Sequence, residues 1–121
     1  MENKLILIVE DNEDNYVLAE KILNHFGFDT VIKSTGKDTL EWCSKNIPSL
    51  ILMDISLPDM EGTKVTEKIR ANKDFKSVPI IALTAYAMQS ELQKAIDSGC
   101  NSYLTKPFMP MDLLKKVKEY L

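Results

Sequence analysis

The chain has 121 residues, 45% of them apolar and 27% charged, with a formal net charge of −3, which suits one soluble domain with room for a real core. The mild acidity argues against direct nucleic-acid binding, which usually needs a basic face. No apolar run is long enough to span a bilayer and no signal peptide is visible, so a cytoplasmic protein is expected.

Lys4 to Val9 (KLILIV) reads as a continuous apolar strand. Asn15 to Phe26 follows as a helix whose stripe is Leu18, Ala19, Ile22, Leu23 and Phe26, stopped by Gly27. The lone His25 on that helix reads as a solvated or half-packed side chain. Phe28 to Lys33 has mixed faces and reads as an edge strand. Lys37 to Asn46 is a short helix carrying Leu40 and Cys43, ending near Pro48. Leu50 to Met53 is a third strand, Thr63 to Ala71 a helix with Val65 and Ile69 four apart. Pro79 opens the strand PIIALT. Gln89 to Ser98 is a helix with a thin apolar face of Leu92, Ala95 and Ile96, ended by Gly99. Asn101 to Leu104 is a fifth strand, and Met111 to Leu121 a last helix with Leu114, Val117 and Leu121 on one side. Cys43 and Cys100 belong to no CxxC pair and read as reduced, packed thiols. Strands and helices thus alternate through the chain, which predicts one α/β domain over 1–121. Its parallel sheet should be covered by helices on both faces, with right-handed crossovers.

The stretch LILMDISLPDM (50–60) poses a question, because a strand apolar enough for burial on both faces runs into Asp54. An unpaired buried carboxylate is costly. Asp54 is therefore expected at the strand's open end, exposed to a crevice. Ligands of open parallel sheets bind at the carboxyl ends of the strands. Strand one ends at Glu10 and Asp11, strand three at Asp54, strand four at Thr84, and strand five at Lys106 before Pro107. Each alone has a plain explanation: Glu10 and Asp11 could cap a helix with Asn12, and Lys106 could be a solvated charge. Together they place three carboxylates, a hydroxyl and an ammonium on one rim. Crowded carboxylates repel unless a cation joins them. Oxygen ligands without His or Cys select a hard ion such as Mg²⁺, with Mn²⁺ a possible substitute. A carboxylate can attack phosphorus to form an aspartyl phosphate, while Lys106 and the Thr84 hydroxyl stabilise the transferring oxygens.

The motifs VEDN (9–12), LILMDISLP (50–58), ALTAYA (82–87) and YLTKP (103–107) resemble the receiver domain of two-component response regulators. The resemblance spans nearly the whole chain. It implies the doubly wound, flavodoxin-like (βα)5 fold with strand order 2-1-3-4-5. It implies Asp54 as phosphoacceptor, with Glu10, Asp11 and the Ser56 backbone carbonyl around Mg²⁺. Thr84 and Lys106 are implied as phosphoryl ligands, Tyr103 as the switch aromatic, and Lys106–Pro107 as a cis bond. Ser56 and Tyr86 are expected beside the path of attacking water. Implied partners are a histidine kinase or histidine phosphotransfer protein and a downstream protein target, with no nucleic acid or membrane. Beyond its own phosphorylation and dephosphorylation, no enzyme activity is implied. Asn12 and Asn15 with ALTAYAM look most like single-domain receivers of the DivK type, and also like receivers of hybrid histidine kinases. With no DNA-binding segment following, the expectation is a stand-alone regulator or a receiver cut from a longer protein. A phosphatase of the haloacid dehalogenase type would want an Asp where Ser56 stands. An FMN binder would want a glycine- and hydroxyl-rich loop where EDNED would repel phosphate. A receiver that has lost phosphorylation would usually lack an acid, the Thr or the Lys, and none is lacking.

Overall fold

In the computed structural model, which describes residues 3–85 and 88–121, the alternation becomes ten elements in strict sequence. They are β1 (Leu5–Val9), α1 (Glu13–His25), β2 (Asp29–Lys33), α2 (Gly36–Cys43), β3 (Leu50–Asp54), α3 (Gly62–Arg70), β4 (Ile80–Thr84), α4 (Gln89–Ser98), β5 (Ser102–Thr105) and α5 (Pro110–Tyr120). A short 3-10 turn at Lys73–Phe75 joins α3 to β4. The strands form one parallel sheet in the order β2-β1-β3-β4-β5, as the resemblance implied.

Side chains alternate across each strand, so an unbroken apolar run feeds both faces. Leu7, Val9, Ile51, Met53, Ile80 and Ala82 pack with Cys43, Val65, Ile69 and Ala95, under α2, α3 and α4. Ile6, Ile8, Leu50, Leu52, Ile81 and Leu83 pack with Ala19, Leu23, Leu113 and Val117, under α1 and α5. Every residue of β3 and β4 is buried.

Three expectations need correction. On α1 only Ala19 and Leu23 are buried, while Leu18 and Phe26 are 38% and 45% exposed. The stripe drawn from spacing is wider than the strip of helix that touches the sheet. Phe26 falls past the last turn, where it meets His25 edge-on and lies under Lys118. On α5 the buried set is Leu113, Leu114 and Val117, with Leu121 only half-buried. On α4 only Ala95 and Ser98 are buried, and Ile96 is exposed, so its apolar face is thinner than spacing suggested.

That helix is held mainly at its C-terminal end. Arg70, at the end of α3, donates to the carbonyls of Gly99 (3.0 Å) and Val78 (2.7 Å) and to Asn101 Oδ1 (2.8 Å). The same Asn101 oxygen accepts the Ile80 N–H. At the other end of α4, Met88 stands at the cap position without a side-chain cap and is 64% exposed.

Candidate functional site

The sheet register decides which side chains meet. Val9 lies opposite Met53, Asp54 opposite Leu83, and Thr84 opposite Thr105. Glu10 therefore stands abreast of Asp54, and Lys106 begins just past the level of Thr84. Alternation assigns Glu10 and Asp54 to the face carrying Ile8 and Leu52, which α1 and α5 cover, and Thr84 to the opposite face with Ala82. The site straddles the end of the sheet.

Lys106 Nζ donates to Asp54 Oδ1 at 3.0 Å and to Glu10 Oε1 at 3.2 Å. Asp54 Oδ1 also accepts the Ser56 N–H at 3.0 Å. Glu10 is anchored from below: Oε2 accepts the Asn12 N–H at 3.1 Å, and Oε1 the Asn15 side-chain amide at 3.3 Å. The capping of α1 belongs to Asn12, whose side chain accepts the Asn15 N–H. Glu10 and Asp11 are thereby released from the capping role that sequence alone left open to them.

Asp54 is not exposed, which corrects the expectation from the strand-end argument: it is only 1% accessible, as is Glu10. Its strand is buried to the last residue, and the Ser56 N–H and the Lys106 ammonium both close on its Oδ1. Asp54 and Glu10 are the buried members of the acidic cluster, and Asp11 is its exposed member. Burial, followed by the nearby Glu10 carboxylate, pushes the Asp54 carboxyl above the usual carboxylate range, against the opposing pull of Ser56 and Lys106. For Lys106, burial opposes the charge, but the attraction of Asp54 and Glu10 together outweighs it and raises its proton affinity.

Carboxylate oxygens of Glu10, Asp11 and Asp54 all lie within 4.8 Å of one another. Asp54 Oδ2 is buried with no hydrogen-bond partner among the described residues. Three carboxylates against one ammonium leave a charge of −2 at one spot. An orphaned buried oxygen among hard oxygen donors, with that residual charge, fits a divalent hard cation.

The backbone after Asp54 folds tightly over the end of β3. Gly62 N–H donates to Ile55 O at 2.7 Å, and Ser56 bridges to Glu61. A Cβ on Gly62 would lie 2.0 Å from the Asp54 carbonyl oxygen, so only glycine allows α3 to start this close to the strand. On the far side of the loop a crevice of about 500 Å³ opens, lined among others by Ser56, Leu57, Thr84, Met88 and Lys94. Thr84 is 4% accessible.

The structure thus brings Glu10, Asp11, Asp54 and Lys106 into one cluster, puts the Ser56 backbone against it, and places Thr84 in the adjoining crevice. The Lys106–Pro107 bond is cis. Tyr103 stands apart: it is 40% exposed on edge strand β5 and lines a separate cavity with Phe108, Asp112 and Lys115. Tyr86 lies outside the described residues. Sequence reasoning passed over Asp59 and Arg70, because their partners are backbone groups or lie 22 or more residues away and leave no local spacing signal.

The sequence profile of the response regulator receiver domain matches residues 6–118. Over 118 residues the chain is 34% identical to the polar-differentiation response regulator DivK of Brucella ovis, covering 98% of this chain and 96% of that protein. Among solved structures, it is similar to the receiver domain of a sensor histidine kinase from Pseudomonas aeruginosa, described with a magnesium ion coordinated in its active-site cleft. The TM-score there is 0.90 at 34% identity, over 98% of this chain and 97% of that one. It is also similar to a chemotaxis response regulator of Vibrio cholerae, with a TM-score of 0.94 at 25% identity over 98% and 99% of the two chains.

Proposed function

Because this chain belongs to the response regulator receiver domain family of two-component systems, we propose that it accepts a phosphoryl group on Asp54 from a phosphohistidine donor and thereby switches a protein–protein contact. The observation that carries the reading is the divided state of the Asp54 carboxylate. Oδ1 is held by Lys106 and the Ser56 N–H, while Oδ2 is buried without a hydrogen-bond partner among the described residues, beside Glu10 and Asp11.

Glu10, Asp11, Asp54 and the Ser56 backbone carbonyl would hold Mg²⁺, with Mn²⁺ as a substitute. When bound, the ion supplies the positive charge that offsets the oxygens of the transferring group. A carboxylate oxygen of Asp54 forms the new O–P bond as the P–N bond to the donor imidazole breaks. The electron pair stays on the imidazole nitrogen, which takes a proton from water. Lys106 is already positioned to follow the charge: its ammonium moves from the free carboxylate to a phosphoryl oxygen. The Thr84 hydroxyl takes another from the crevice side. The chain performs no chemistry beyond its own phosphorylation and dephosphorylation.

Output runs through the face of α4, β5 and α5. Support comes from α4, anchored at its Arg70 end and thinly packed at its Met88 end, which makes a shift of its first turn cheap. A phosphoryl group drawing on Thr84 moves the end of β4, and the exposed Tyr103 turns inward beside it. This is a local charge change biasing a two-state element. The partners are a histidine kinase or histidine phosphotransfer protein and a downstream protein. The chain acts in the cytoplasm as one receiver domain, with no nucleic-acid or membrane partner. A second reading, a receiver domain within a hybrid histidine kinase or larger regulator, is favoured by the likeness to the Pseudomonas aeruginosa kinase domain.

Intact-mass spectrometry after acetyl phosphate treatment, with and without Mg²⁺, tests the reading. The expected result is one added phosphoryl group only with Mg²⁺, and none on Asp54→Ala. Equal labelling of the two proteins would refute the assignment.

A further inference from the structure

The loop after the phosphoacceptor is fastened at a point the reaction does not touch. Asp59, at the exposed turn of that loop, places one carboxylate oxygen on the N–H of Gly36 (2.8 Å) and the other on the N–H of Lys37 (2.9 Å). These are the first two residues of α2. Both oxygens are thus used on free N–H groups at the positive end of a helix. The Gly36 and Lys37 N–H groups hold the Asp59 carboxyl below the usual carboxylate range. The next residue, Met60, packs against the core beneath α2 and α3. α2 also has its own cap, Thr35 Oγ1 accepting the Asp38 N–H at 3.0 Å. The helix start is served by two devices, of which only Asp59 reaches across from the active-site loop.

The other end of the loop meets the site itself. Ser56 N–H lies on Asp54 Oδ1, Ser56 bridges to Glu61, and Gly62 closes onto Ile55. Between these contacts Leu57 to Asp59 joins no strand or bridge among the described residues, so the path of this part of the loop depends on where its turn is tied.

We propose that Asp59 is a positioning residue for the phosphoryl site, its grip on α2 holding the Ser56 backbone in place against Asp54. This rests on the reading of Asp54 as phosphoacceptor and of the Ser56 carbonyl as a cation ligand. Partners that orient metal ligands typically change affinity by tens of fold when removed. Because Asp59 acts from an exposed position on a backbone ligand, about a tenfold loss of Mg²⁺ affinity is expected, near the low end of that range.

The test compares Asp59→Ala with Thr35→Ala. Each removes one cap of α2, but only the first unties the loop. Amide NMR is recorded on the metal-free proteins and then during Mg²⁺ titration, well below the unfolding temperatures. For Asp59→Ala the Ser56 amide resonance should move upfield without metal, and Mg²⁺ should bind about tenfold more weakly. Asp59→Asn, which retains one acceptor oxygen, should recover part of both. Thr35→Ala should lose stability yet match the parent protein at Ser56 and in Mg²⁺ affinity. An unchanged Ser56 amide in Asp59→Ala, or equal Mg²⁺ losses in the two variants, would overturn the positioning role and leave Asp54 as acceptor intact. Absence of any Mg²⁺-dependent shift at Asp54 in the parent protein would overturn the reading of the site instead, while the metal-free Ser56 shift still decides the loop.

Discussion

Replacing Asp54 by asparagine should make the metal-free protein more stable. At an effective dielectric constant of 20, the Lys106 contact at 3.0 Å favours the Asp54 charge by about 5.5 kcal/mol. Repulsion from Glu10, within 4.8 Å, takes back at least about 3.5 kcal/mol. Asp11 is exposed and, screened nearly as in water, adds only about 1 kcal/mol. The surplus of about 1 kcal/mol does not cover the several kcal/mol that desolvating a carboxylate costs. Asparagine keeps the shape and an acceptor for Ser56, and Lys106 keeps Glu10. We expect a gain of about 2 kcal/mol, or about 8 °C in Tm for a chain of this size. The pH dependence has a definite sign. Burial and Glu10 raise the folded-state pKa of Asp54, so the native state binds that proton more tightly than the unfolded chain. The wild-type penalty is therefore full above the raised pKa and fades as pH falls through it, while the Asp54→Asn variant carries no such dependence. Thermal melts in EDTA between pH 4.5 and 8 check this. The gap should be widest at the alkaline end, close toward acid, and shrink or invert with saturating Mg²⁺, which stabilises only a site that keeps its ligands. A variant less stable than wild type in EDTA at pH 8 would refute this balance of charges.

Asp11→Ala should weaken Mg²⁺ binding far more than Asp38→Ala, whose carboxylate lies on the first turn of α2 outside the cluster; equal affinities by NMR titration would remove Asp11 from the ligand set. Thr84→Ala should take up phosphate on Asp54 yet lose most of the partner affinity gained with beryllofluoride, and an undiminished response would break the proposed route from site to surface. The Cys43 thiol is pushed up to about 11 by burial, leaving about one part in a thousand as thiolate at pH 8. Cys43 and the buried Cys100 should therefore resist alkylation in the native protein and react fully in urea; rapid native labelling would contradict the packing described.

The sequence determined the fold class and named most of the candidate site, because both are written in local order. Apolar runs too continuous for a one-sided sheet required helices on both faces, and reading what followed each run found Glu10, Asp11, Asp54, Thr84 and Lys106 before any distance was known. Only the tertiary structure decided how those groups stand toward one another. Burial of Asp54 depends on Lys106, which reaches it from 52 residues along the chain, and on the loop just after it folding back over the strand, so an argument from the strand's end alone expected it exposed. The stripe on α1 was drawn too wide because spacing shows which residues share a face but not how much of that face meets the sheet. Asp59 and Arg70 carried no signal in the sequence, since backbone N–H and carbonyl groups are present at every position and no side-chain pattern announces which of them a folded chain will bring within reach.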